Sequence, residues 1–82
     1  MQKTLVNSIA FAIRHYRKAQ NMSQEELANR SGLDRTYISG VERSVRNITL
    51  ESLEQIITAL RITPAVFFNL ATRDNDNDVS NK

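Results

Sequence analysis

Four residues in one short stretch carry side chains suited to reading another polymer. Arg35, Thr36, Ser39 and Arg43 fall at i, i+1, i+4 and i+8, a spacing that gathers them on one face if the stretch is helical. That face offers guanidinium and hydroxyl groups and no large apolar residue, the chemistry that hydrogen-bonds base edges and phosphates in a major groove. Ile38 and Val41, three apart, mark the other side as the one that packs inward. Most exposed arginines only keep a surface wet, so Arg35 and Arg43 acquire meaning from what flanks them.

The flanks are those of a helix pair with a tight corner. Ser23 with Glu26 three residues on is an S-x-x-E capping box, predicting a helix start. Gly32 follows that run and is expected to supply the positive φ of a turn after a helix. Asp34 opens the next run and is expected to cap it, its carboxylate accepting from first-turn amides. Ala28 is small where the two helices should approach most closely. Two short helices joined by a glycine-containing turn make a helix-turn-helix, whose second helix spans about Asp34 to Arg43.

The stretch resembles the helix-turn-helix of phage-repressor-type (XRE/Cro) regulators. Within them, DRTYISGVERSVRNIT, Asp34 to Thr49, is similar to the small controller proteins of restriction–modification systems. The resemblance covers roughly Leu5 to Leu70 and implies an all-α, compact five-helix domain that dimerises through its C-terminal helices. Where the wider family often has Gly after the recognition helix and Pro a few residues on, this chain has Ser44 and Ile48, which leaves the 44–48 loop open. The resemblance implies a homodimer binding palindromic operators and controlling its own gene and a restriction endonuclease gene, as activator and repressor. It also implies that Arg43, Arg46 and Asn47 lie at the DNA, with Arg46 able to reach base or phosphate. The resemblance further implies RNA polymerase as a partner, touched by an acidic patch near the first motif helix, with Glu25 the candidate for that contact. A phage-type repressor, or an antitoxin-like protein whose main partner is another protein, are the alternatives.

Each residue has its expected role and its plain one. Arg35 is the candidate for bidentate pairing with guanine, a contact of roughly 1–3 kcal/mol. Thr36, Ser39 and Arg46 complete the base-reading set. Arg17, Ser23, Gln24, Tyr37, Arg43 and Asn47 are the candidates for the DNA backbone. Arg17 and Lys18 equally suit a helix end, where cations meet the negative pole. Asn47 equally suits an Asx turn; Tyr37 is expected half in the core and half at the interface, its ring packed and its hydroxyl reaching the DNA backbone, with a purely structural role as its plain reading. Gly40 lies inside the predicted recognition helix, where glycine costs about 1 kcal/mol against alanine, so close packing on a neighbouring element is expected. Glu42 is expected to orient a neighbouring arginine, because a bare carboxylate facing DNA would meet phosphate repulsion.

The remaining elements frame this motif. Leu5, Ile9, Ala12, Ile13 and Tyr16 predict an amphipathic helix over about Thr4 to Gln20. Thr49 caps a further helix with the apolar stripe Leu50, Leu53, Ile56, Ile57 and Leu60. Thr63-Pro64 starts a last helix, expected to end near Thr72. Val66, Phe67, Phe68 and Leu70 in that helix cannot all face one small core, so with Ile57 they are the expected twofold dimer surface. Such a dimer would reach successive major grooves about 34 Å apart.

Composition bounds the function. The 82 residues suit one domain with a modest core. Without cysteine there is no thiol nucleophile or thiolate metal site, and His15 stands alone. No cofactor is expected, and neither a glycine-rich phosphate loop nor paired carboxylates point to an enzyme. No apolar run approaches a membrane span, so a cytoplasmic protein with no membrane partner is expected. Net charge is +2, but residues 1–73 hold ten Lys and Arg against six Asp and Glu, whereas 74–82 hold three Asp against one Lys. A basic domain over 1–73 and a disordered acidic tail over 74–82 are therefore expected.

Overall fold

The computed structural model describes residues 4–80 of the chain, with side-chain surroundings from 5 to 73. Five helices follow in order: α1 (Thr4–Ala19), α2 (Gln24–Ser31), α3 (Arg35–Glu42), α4 (Leu50–Ala59) and α5 (Pro64–Ser80). α1 packs on α5 and α3, and α2 packs on α3 and α4. Among the described residues no helix is long and apolar enough to cross a membrane.

Local chemistry sets most boundaries. Ser23 is extended, and its Oγ accepts from the Glu26 amide at 2.9 Å, so it caps α2. The reciprocal half of the capping box is not used, because the Glu26 carboxylate pairs with Arg30 one turn on. Gly32 ends α2 at φ 75°, its N–H returning to the Ala28 carbonyl, the left-handed stop that lacks a Cβ penalty only in glycine. Asp34 occupies the N-cap position of α3 with extended backbone, but its side chain makes no capping bond. Thr49 caps α4 by accepting from the Ser52 amide at 3.0 Å, and Thr63 caps α5 by accepting from the Val66 amide at 3.1 Å. α5 runs past the expected end at Thr72 to Ser80. The Asp/Asn stretch from 74 is thus helical as far as Ser80, and residues 81–82 lie outside the described residues.

The core is drawn from every helix. Ile13, Leu27, Ile38, Ile56, Leu60 and Phe67 are fully buried, each contributing about 1.5–3 kcal/mol from removal of apolar surface from water. Ile38 and Val41 point inward from α3 as the three-residue spacing requires. Two apolar stripes run out before their ends. Leu5 in α1 is exposed, and Leu50 in α4 is 84% exposed. Phe67 and Ile57, expected on a dimer surface, are buried in the core of the single chain. α5 turns Phe67 directly into the bundle, where its ring meets Tyr16 and Phe68.

Candidate nucleic-acid interface

The recognition helix is locked from behind. Glu42, at the end of α3 and only 4% exposed, receives Arg17 from α1: Nε donates to Oε2 at 2.7 Å and Nη2 to Oε1 at 2.9 Å. Arg17 also donates through Nη1 to the Met22 carbonyl at 2.8 Å. Gln24, in the first turn of α2, donates from Nε2 to Glu42 Oε1 at 3.0 Å, and Arg14 donates to the Glu42 backbone carbonyl at 2.9 Å. One carboxylate thus ties α1, the start of α2 and the end of α3 together. A buried pair with its lone pairs this fully used avoids the desolvation penalty of an isolated charge.

This clamp revises two expectations. Arg17 is 8% exposed and bonded through all three guanidinium nitrogens, so it orients the motif and offers no arm to a phosphate. Gln24 gives one amide hydrogen to Glu42 but stays half-buried at the helix start. Its second amide hydrogen is left to donate, beside an N-terminus whose free amides favour anions. Ser23, exposed, accepts from within the helix and keeps its own O–H to donate. Glu42 does orient an arginine, though that arginine comes from 25 residues earlier in the chain.

On the outer side, Arg35 and Thr36 are exposed and Ser39 is half-buried. Their side chains make no hydrogen bond among the described residues, so their donors are available to a ligand. Arg43 ends α3, exposed, and the loop after it turns through Ser44 at φ 61°. Arg46 and Asn47 are exposed in that loop. Tyr37 departs from expectation: its ring is half-buried, and its hydroxyl is buried with no hydrogen-bond partner among the described residues. The hydroxyl does not reach outward to a backbone. Its ring carries the Arg46 guanidinium instead, 5.5 Å from the centroid, a cation–π distance.

The expected dimer residues divide. Ile57 and Phe67 belong to the core, Phe68 and Leu70 are half-buried, and Val66 is exposed. Leu50, read as part of the α4 stripe, was not among the expected dimer residues. It lines an apolar groove of about 260 Å³ between α4 and α5 with Leu53, Ile57, Pro64 and Phe68. Leu50 directly follows the cap Thr49, the one signal that its side chain would sit at a helix edge and not in its buried middle. Glu25 is exposed on α2.

An all-α bundle that holds a short polar-faced helix outward, behind a glycine turn and in front of a buried clamp, is a helix-turn-helix domain. The chain belongs to the helix-turn-helix family HTH_3, whose profile matches residues 13–67. Its relatives include the control protein C.SmaI of Serratia marcescens, 52% identical over 52 residues, which are 63% of this chain and 62% of that one. The control protein C.BamHI of Bacillus amyloliquefaciens is 46% identical over 55 residues, 67% of this chain and 68% of that one. Among solved structures, the restriction–modification controller protein C.Esp1396I, as a tetramer in complex with its natural 35-base-pair operator, matches at a TM-score of 0.84 and 43% identity. That match covers 88% of this chain and 95% of that one. C.Esp1396I bound to a 25-base-pair operator site matches at 0.83 over the same shares. The fold is therefore that of the restriction–modification controller proteins.

Proposed function

We propose that this chain is a restriction–modification controller: a sequence-specific DNA-binding regulator that binds palindromic operators as a homodimer and controls its own gene and an endonuclease gene. The observation that carries the reading is the outer face of α3, where Arg35, Thr36 and Ser39 leave their donors free while Glu42 fixes the helix from behind. Arg35 is the base reader, with Thr36, Ser39 and Arg46 beside it. Ser23, Gln24, Arg43 and Asn47 hold the sugar-phosphate backbone. C.Esp1396I, similar over most of this chain, occupies its operator as a tetramer, which supports two dimers on one control region here.

The dimer forms through the groove between α4 and α5, with Leu50, Phe68 and Leu70 entering the partner. A single α3 spans only a few base pairs, so the second copy supplies the second half-site. Glu25, exposed on α2, is the contact for RNA polymerase when the dimer sits beside a promoter. A Glu25→Gln variant that binds operator normally but activates fully would remove that assignment.

The test is a gel-shift titration against the DNA upstream of this protein's own gene, beside an Arg35→Ala variant and an unrelated duplex. Tight, stepwise wild-type binding that Arg35→Ala loses by about 10- to 100-fold supports the reading. Equal weak binding to both duplexes overturns it, since only nonspecific electrostatics would remain.

A further inference from the structure

Gly40 is the one residue of α3 whose presence the clamp and the outer face leave unexplained. Glycine is the poorest helix former after proline, and Gly40 is the sixth residue of an eight-residue helix. It is buried, and what buries it is the loop that follows. A Cβ placed on Gly40 would lie 3.3 Å from Arg46 Cβ, 3.5 Å from its Nε and 3.8 Å from its Cδ. The stem of Arg46 therefore runs along bare backbone. The nearest of these atoms is fixed to the Arg46 main chain and cannot swing aside, so relief of the contact means movement of the loop.

Two more observations define the path. The Val45 amide donates to the Gly40 carbonyl and the Ser44 amide to the Val41 carbonyl, both at 3.0 Å. With Ser44 at φ 61°, these bonds close the end of α3 and aim the chain back along it. Tyr37, one turn before Gly40, then takes the guanidinium on its ring at 5.5 Å. Gly40 and Tyr37 share a face of the helix by their spacing of three. Between them they turn a long, many-rotamer side chain into one held along the recognition helix.

We infer that Gly40 is a positioning residue for Arg46, its missing side chain letting the loop set the arginine in place before DNA arrives. This rests on the reading of the chain as an operator-binding protein. An arginine already held gives up little rotamer freedom on binding, which favours the specific complex. Alanine at position 40 suits a helix better but displaces the loop, so the two effects on stability offset each other while specificity falls.

The experiment is a double-mutant cycle of Gly40→Ala and Arg46→Ala, read as operator affinity, affinity for an unrelated duplex, and thermal midpoint. Gly40→Ala is expected to lose about three- to ten-fold in operator affinity, with the unrelated duplex and the midpoint nearly unchanged. In the Arg46→Ala background it is expected to lose nothing further. Wild-type operator affinity in Gly40→Ala, or the same loss with and without Arg46, overturns the inference. Wild-type protein that ignores the operator overturns the functional reading instead. Nuclear magnetic resonance of the free wild-type chain decides the seating on its own. Upfield Arg46 side-chain protons with a Gly40 Hα to Arg46 Hβ contact support it, and random-coil shifts without that contact overturn it.

Discussion

At the scale of single residues, charge divides into two kinds. Arg17 and Glu42 are spent inside the protein, whereas Arg35 and Arg43 are exposed. Replacing Glu42 by Gln leaves the buried Arg17 guanidinium without a counter-charge, and stability should fall by about 3–5 kcal/mol. Urea unfolding followed by circular dichroism measures this. A double replacement, Arg17→Met with Glu42→Leu, should recover much of the loss, because no charge is then left buried. Arg43→Ala should leave unfolding untouched. It should weaken operator and unrelated DNA alike and reduce the slope of log affinity against log salt by about 1, the mark of one phosphate contact removed. The exposed arginines were legible in the sequence as a pattern on one helix face. Arg17 was not, because its partner lies 25 residues away and nothing in the local run around Arg17 or Glu42 names the other.

At the scale of elements, the ends of the helices hold the predictions. Gly32 adopts φ 75°, and a Cβ there would meet only Gln55 Nε2 at 3.8 Å. Room is therefore not what requires glycine; the left-handed backbone is. Gly32→Ala should cost about 1–2 kcal/mol, visible as a lower thermal midpoint. Arg61, after α4, sits at φ 61° without being glycine. Arg61→Gly should raise the midpoint by relieving up to about 1–2 kcal/mol of the same strain. The cap residues Ser23, Thr49 and Thr63 and the stop at Gly32 were readable because capping is a local affair of three or four residues. Asp34 shows the limit of that reading: the position is right, but the carboxylate does not bond. The end of α5 was missed because Asp and Asn, weak helix formers, extend a helix already anchored by the buried Phe67 and Ala71.

At the scale of the whole molecule, apolar periodicity identified which residues leave water without saying for whose benefit. It placed Phe67 and Ile57 on a partner and Leu50 in the core, and the bundle reverses both, with Phe67 fully buried and Leu50 exposed. A stripe is wider than the contact it makes, and three-dimensional packing alone decides which edge meets the chain's own core. Because Leu50 touches so little of its own chain, Leu50→Glu should leave the folded monomer as stable as wild type. The proposed dimer should come apart, so that analytical ultracentrifugation gives a monomer mass for the variant at a concentration where wild type is expected to give that of two copies. Operator affinity should then depend more steeply on protein concentration, since assembly must precede binding.

Among the described residues, the side chains of Arg35 and Thr36 hydrogen-bond to nothing else in the protein. The Glu42 clamp and the core beneath α3 are complete without them, so script and scaffold are separate inheritances. Descendants of one ancestral chain can exchange those side chains and address different control regions while melting at the same temperature. The address can then change by a few atoms while the fold that presents it stays the same.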